Sequence, residues 1–247
     1  MAHRIDPLAL PPLQAGVRAD ARFLGRWVLL GAAAGGVGGV LVGGVGGRLA
    51  MFVLRLTSPD GVRGLTSDDG FEIGRFTTST LSLLAVTFLL GAVAGLVYIA
   101  VRGFLPARLR VTAWALAGAT VGGSLLLHGD GIDFNRLKPA GLACGLFIAI
   151  PAGGAALIAW LVERWAPWWC VVRRPTRVGS VAGIAGLLTP VTIVVFVACL
   201  ATLVAGRVAV LRSGAERAWG RVLCRGGYGL VVVVGANALV RDLRDIL

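Results

Sequence analysis

The chain has 247 residues, 57% of them hydrophobic and 15% charged. Its apolar residues come in continuous runs of about 15 to 29, which excludes an ordinary water-soluble core and marks membrane spans. The net charge of +12 lies in short arginine clusters between those runs, with no aromatic-interleaved basic face, so nucleic acid is excluded as a partner and the lipid bilayer is the expected surrounding.

Taken in order, residues 1–26 form a cytoplasmic leader in which Pro7, Pro11 and Pro12 precede a short amphipathic helix expected to lie on the membrane surface. The first span is predicted at 27–47, with LAMFVLRL continuing its helix toward Arg55. This span contains Gly31 to Gly47, GAAAGGVGGVLVGGVGG, with nine glycines. Glycine costs about 1 kcal/mol against alanine in a water-exposed helix. In lipid the helix is nearly obligatory and glycine permits close backbone approach. Gly31, Gly35, Gly39, Gly43 and Gly47 recur every fourth residue, a GxxxG stripe expected to pack against the chain's own later helices, with a homodimer seam or a ligand-lining wall as the competing reading.

The second span is predicted at 81–101, the third at 111–127, and the fourth at 140–162, kinked at Pro151 and closed by a tryptophan belt at Trp160, Trp165, Trp168 and Trp169. The fifth run, 178–206, carries Pro190, and the sixth, 226–240, is short enough that Arg225 and Arg241 must snorkel to opposite faces. Residues 241–247 make a short amphipathic tail. The expected fold is therefore an all-α polytopic transmembrane helix bundle of about six spans. A five-span arrangement, with 178–206 turning back around Pro190, is the competing reading, because it keeps Arg207 to Arg225 on the same side as the other arginine clusters.

Charge counts orient the chain. The leader carries +2, residues 102–110 carry +3 and 163–177 carry +3, whereas 48–79 and 128–138 each sum to zero. The expected location is the plasma membrane with a cytoplasmic N-terminus.

The two balanced segments carry the most specific motif. Asp69-Gly70-Phe71-Glu72-Ile73-Gly74-Arg75-Phe76 and Asp130-Gly131-Ile132-Asp133-Phe134-Asn135-Arg136-Leu137 both read D-G-apolar-acid-apolar-x-R-apolar, 61 residues apart. This spacing predicts an internal duplication of a two-helix hairpin, with the two extracytoplasmic loops pairing as a small β-ribbon. Asp68, Asp69, Glu72, Arg75, Asp130, Asp133 and Arg136 are the candidate partner or ligand site. The acids suit a hard cation, but three neighbouring arginines favour turns, caps and ion pairs, so no metal is expected. His3 and His128 stand apart, the four cysteines show no ligand spacing, and no catalytic or cofactor motif occurs.

The stretch GRLAMFVLRLTSPDGVRGLTSDDGFEIGRFT (47–77), with HGDGIDFNRLKP (128–139) and a proline-kinked span after it, resembles a family of uncharacterised multi-pass integral membrane proteins of actinobacteria. The resemblance implies a membrane location and transfers no activity. The expected function is a non-enzymatic plasma-membrane protein presenting the twin loops to a membrane-protein or envelope partner. The alternative is a small transporter or channel with the loops at its mouth.

Overall fold

The computed structural model describes residues 17–58, 78–127, 139–171 and 214–246. Among these every regular element is a helix. α1 (Val17–Gly38) passes through a π-helical stretch, π1 (Gly39–Gly46), into α2 (Gly47–Thr57). α3 (Thr78–Val101) returns. α4 (Arg110–Ala117), π2 (Gly118–Gly122) and α5 (Gly123–Leu126) follow one another without a break, then α6 (Ala140–Val171) and α7 (Gly214–Ile246) complete the described bundle. Four stretches are long and apolar enough to cross a membrane: Gly25–Thr57, Leu81–Val101, Ala140–Trp169 and Arg225–Ile246. These helices fit a membrane protein. Leu81, Leu90, Leu125, Leu230, Val231 and Val234 stand exposed on their outer faces, where lipid is the natural cover.

Boundaries differ from the hydropathy reading in a consistent way. The first helix starts at Val17 and runs past Trp27 unbroken, and the fourth continues nine residues beyond Val162, through Pro167. Hydropathy marks where lipid ends, whereas backbone hydrogen bonding carries a helix on until something stops it.

The tightest contact in the bundle joins α1 to α3. A Cβ on Gly35 would meet the Gly91 carbonyl and lie 2.9 Å from the Ala92 Cα; on Gly39 it would meet the Thr87 carbonyl; on Gly31 it would lie 3.0 Å from the Gly95 oxygen. The approach is reciprocal, since a Cβ on Gly91 would come within 2.7 Å of the Gly39 Cα and one on Gly95 within 3.0 Å of the Gly35 Cα. Each step of four residues up α1 thus meets a step of four down α3, as an antiparallel pair requires.

Four residues overshoot an α-helical turn by roughly 40°, so a strict four-residue stripe drifts off its face. The wider turn of π1 opposes that drift. Gly43 and Gly44 therefore still face α3: a Cβ on Gly43 would lie 3.2 Å from the Thr87 Cγ2, and one on Gly44 2.6 Å from the Leu84 Cδ2. At Gly47, the end of the stripe, an added Cβ would meet no neighbouring element within 4 Å. The same helix also meets α6, where a Cβ on Gly38 would lie 2.6 Å from the Ile158 Cγ1.

The second hairpin uses a related device. α6 keeps Pro151 inside the helix, and the Pro151 ring sits against Gly122, whose added Cβ would fall 2.5 Å from the Pro151 Cβ; Gly118 lies against the Pro151 carbonyl. The small residues of π2 make room for the bulge that an interior proline forces on a helix. Spanning hydroxyls turn inward on their own helices: Thr87 donates to the Leu83 carbonyl at 2.8 Å, Thr120 to Leu116 at 2.9 Å and Ser124 to Val121 at 3.0 Å.

α7 runs parallel to the α4–α5 rod. Arg225 Nε donates to the Phe104 carbonyl at 2.9 Å, the Tyr228 hydroxyl donates to the Ala113 carbonyl, a Cβ on Gly235 would lie 3.1 Å from the Val121 nitrogen, and Leu239 packs beside Gly123. The six-span reading placed Arg225 opposite Arg102. The structure puts both at one end, because the α7 register is set by packing on α4 and α5, which a count of apolar runs does not contain. The other end is closed by Leu54, Leu127, Ala143, Cys144 and Leu239, with Leu243 and Ile246 of the tail packed on them. The fifth run, 178–206, and residues 59–77 and 128–138 lie outside the described residues, as does the expected β-ribbon.

Adding bulk to the stripe should separate two backbones. Gly35→Leu is expected to lower the thermal unfolding midpoint of the detergent-solubilised chain by at least about 3 °C, the overpacking being worth about 1–3 kcal/mol. Gly47→Leu, in open space, should leave it within about 1 °C.

Candidate functional site

Tyr98 and Arg102 sit four residues apart at the end of α3, so they share one face of the last turn. A tight connection through Pro106 brings the chain back at Arg110, the first residue of α4, with Trp114 one turn further along the same face. α6 carries Glu163 into this space because the helix does not stop at Val162. Among residues 134–215 Glu163 is the one acid in the sequence.

The Glu163 carboxylate is filled on both oxygens. Oε1 accepts from the Tyr98 hydroxyl at 2.8 Å and from Arg102 Nε at 2.9 Å; Oε2 accepts from Arg102 Nη2 at 2.8 Å and from Arg110 Nη1 at 3.3 Å. Arg102 therefore grips Glu163 as a two-pronged fork, the geometry in which guanidinium–carboxylate contacts are strongest. Four donors use the roughly four lone-pair sites a carboxylate offers.

Arg102 is the largest fully buried side chain among the described residues, and its guanidinium carbon lies 4.7 Å from the centroid of the Trp27 ring. The Trp27 face supplies a cation–π contact from α1, and Tyr98 meets Trp114 with centroids 5.5 Å apart at 50°. One carboxylate thus ties α1, α3, α4 and α6 together at the end of the bundle. Around it pack Leu30, Leu105, Val162 and Ala166, with Trp165, Trp169 and Tyr228 at the edge.

Two guanidiniums face one carboxylate, leaving a formal charge of +1 in a largely buried site. Arg102 Nη1, Arg110 Nε and Trp114 Nε1 are buried with no hydrogen-bond partner. The site is rich in donors and its acceptor is saturated, a chemistry suited to holding negative charge.

The residues singled out from the sequence are not those of this cluster. Asp68, Asp69, Glu72, Arg75, Asp130, Asp133 and Arg136 are outside the described residues. Gly31, Gly35, Gly39 and Gly43 line the α1–α3 contact, and Gly47 does not. Sequence reading took Arg102 and Arg110 as topology signals and assigned Glu163 to a loop. Its signals were the Tyr98–Arg102 spacing at a span end and the isolation of Glu163 among arginines. Among the described residues no group of three His, Cys, Asp or Glu gathers to hold a metal. No protein-family model matches the chain, and neither the curated proteins nor the solved structures contain a match to it.

Removing the carboxylate strands two guanidiniums. Glu163→Met is expected to destabilise the bundle by about 3 kcal/mol, the order found when one partner of a buried ion pair is deleted. The double change Arg102→Met with Glu163→Met should cost less than Glu163→Met alone, because only Arg110 is then left, and its side chain is already 14% exposed. Thermal unfolding of the three purified chains checks the order.

Proposed function

We propose that the chain is a non-enzymatic plasma-membrane protein whose bundle is a rigid mount, presenting the loops at 59–77 and 128–138 on the extracytoplasmic side for partner binding or complex stabilisation. The observation that carries this reading is the shared end of the bundle. Leu54, which precedes the first loop, and Leu127, which precedes the second, pack in one apolar cluster, so both loops leave from the same closed end. Behind that end, α1 and α3 touch through glycine backbone, and the hydroxyls of Thr87, Thr120 and Ser124 are bonded within their own helices. Such an interior favours a fixed support over a solute path.

The orientation follows from charge. α6 ends and α7 begins at the end that holds Arg102, which supports five crossings in place of six. With five, the leader, 102–110, 163–177 and 207–225 share one side and carry +2, +3, +3 and +4, the whole of the +12. Residues 48–79, 128–138 and 241–247 share the other and each balance to zero. Placing the first set in the cytoplasm satisfies the positive-inside rule at every connection.

Cysteine labelling tests the arrangement. In a chain lacking Cys144, Cys170, Cys199 and Cys224, single cysteines at Thr66, Asn135 and Leu247 should react with an impermeant thiol reagent on intact cells, and cysteines at Pro106 and Ser213 should react only after lysis. Protection of Leu247→Cys would restore the sixth crossing. For the function itself, native gels of gently solubilised membranes should show a complex that Glu72→Arg with Asp133→Arg disperses, without changing the unfolding midpoint of the isolated chain. Solute flux through proteoliposomes containing the chain alone would replace this reading with the transporter.

A further inference from the structure

The geometry points to a binding site for a phosphate group at the Arg102–Arg110–Glu163 cluster, at the opposite end from Leu54 and Leu127, and the group it fits best is the headgroup of an anionic phospholipid. This is independent of the proposed function.

The first ground is unbalanced charge and unbalanced hydrogen bonding in the same place. A buried arginine is stable when its charge is paired and its donors are met. Here Glu163 has no lone pair left to give, while Arg102 Nη1, Arg110 Nε and Trp114 Nε1 remain buried without acceptors. A phosphate group supplies both missing quantities, negative charge and several acceptor oxygens, and guanidinium is the side chain whose fork matches it.

The second ground is that the two arginines are held unequally. Arg102 is locked by two short bonds and its Trp27 contact, with 2% of its side chain exposed. Arg110 is held to Glu163 by one contact of 3.3 Å, and the open side of the cluster is formed by Arg110 at 14% and Glu163 at 29% exposure. When a phosphate arrives from that side, Arg110 leaves Oε2 and takes the phosphate with its Nε and an Nη, and Arg102 keeps Glu163. Arg225 is exposed, and its Nε is bonded to the carbonyl of Phe104, in the connection that joins Arg102 to Arg110.

The third ground is depth. At this end two apolar spans begin, at Gly25 and Arg225, and two end, at Val101 and Trp169, so the cluster lies within about two helical turns of the edge of the apolar zone. Trp27, Trp114, Trp165, Trp169 and Tyr228 gather there, and tryptophan and tyrosine concentrate at headgroup level. Basic sites between helices at this depth are where anionic headgroups are held.

The test uses the full chain in nanodiscs of phosphatidylcholine, with and without added phosphatidylglycerol, followed by thermal unfolding. Phosphatidylglycerol should raise the midpoint by about 4 °C. Arg110→Gln should lose more than half of that rise, and Arg244→Gln, at the far end of α7, should keep it. Inorganic phosphate added to phosphatidylcholine discs is the second arm: a rise equal to that with lipid, absent in Arg110→Gln, would keep the site and make a free phosphate its ligand. Should Arg110→Gln not be recovered folded, Arg225→Gln takes its place in the same comparison. A full lipid-dependent rise in the arginine variant used, or an equal loss in Arg244→Gln, would overturn the site.

Discussion

Contact between the backbones of α1 and α3 is the constraint on which the rest of the bundle depends. Lipid tails are as apolar as leucine, so helices in a bilayer gain little from hiding side chains from solvent and must gain from close packing. Gly31, Gly35 and Gly39 against Gly95, Gly91 and Thr87 bring two helices near enough for main-chain atoms to touch. α6 then packs against the same helix through Ile158 and Gly38, and α4 with π2 packs against α6 through Pro151. α7 follows last, on α4 and α5.

The two ends of this bundle are built from different physics. One is closed by leucines, Ala143 and Cys144, with the last turns of α7 packed on them. The other is closed by a single carboxylate holding a tyrosine and two arginines. An apolar seal tolerates loops of many kinds leaving from it. A charged clasp is specific, because each partner must arrive at a set distance and angle.

The helical character and four of the spans were legible in the sequence because lipid imposes one signal, an apolar run of sufficient length. The glycine stripe was legible as spacing, but its drift and the π-helical correction were not, since the run of glycines reads the same in either helix. The clasp was hidden for a different reason. Glu163 meets Tyr98 and Arg102 across 65 and 61 residues of chain, and no local period records such a pairing. The side on which α7 begins was hidden likewise: hydropathy counts apolar runs, while the bond from Arg225 to Phe104 joins residues 121 apart.

The one-sided charge has an electrical consequence. In the proposed orientation the whole formal charge of +12 faces a compartment held negative, and turning the folded molecule over would carry that charge against the potential. At 2.3 kcal/mol per charge per 100 mV, this amounts to about 28 kcal/mol, more than the entire folding stability of about 5–15 kcal/mol typical of a domain. In that orientation the membrane potential would act as a latch on the inserted chain, and one that tightens as the cell is energised.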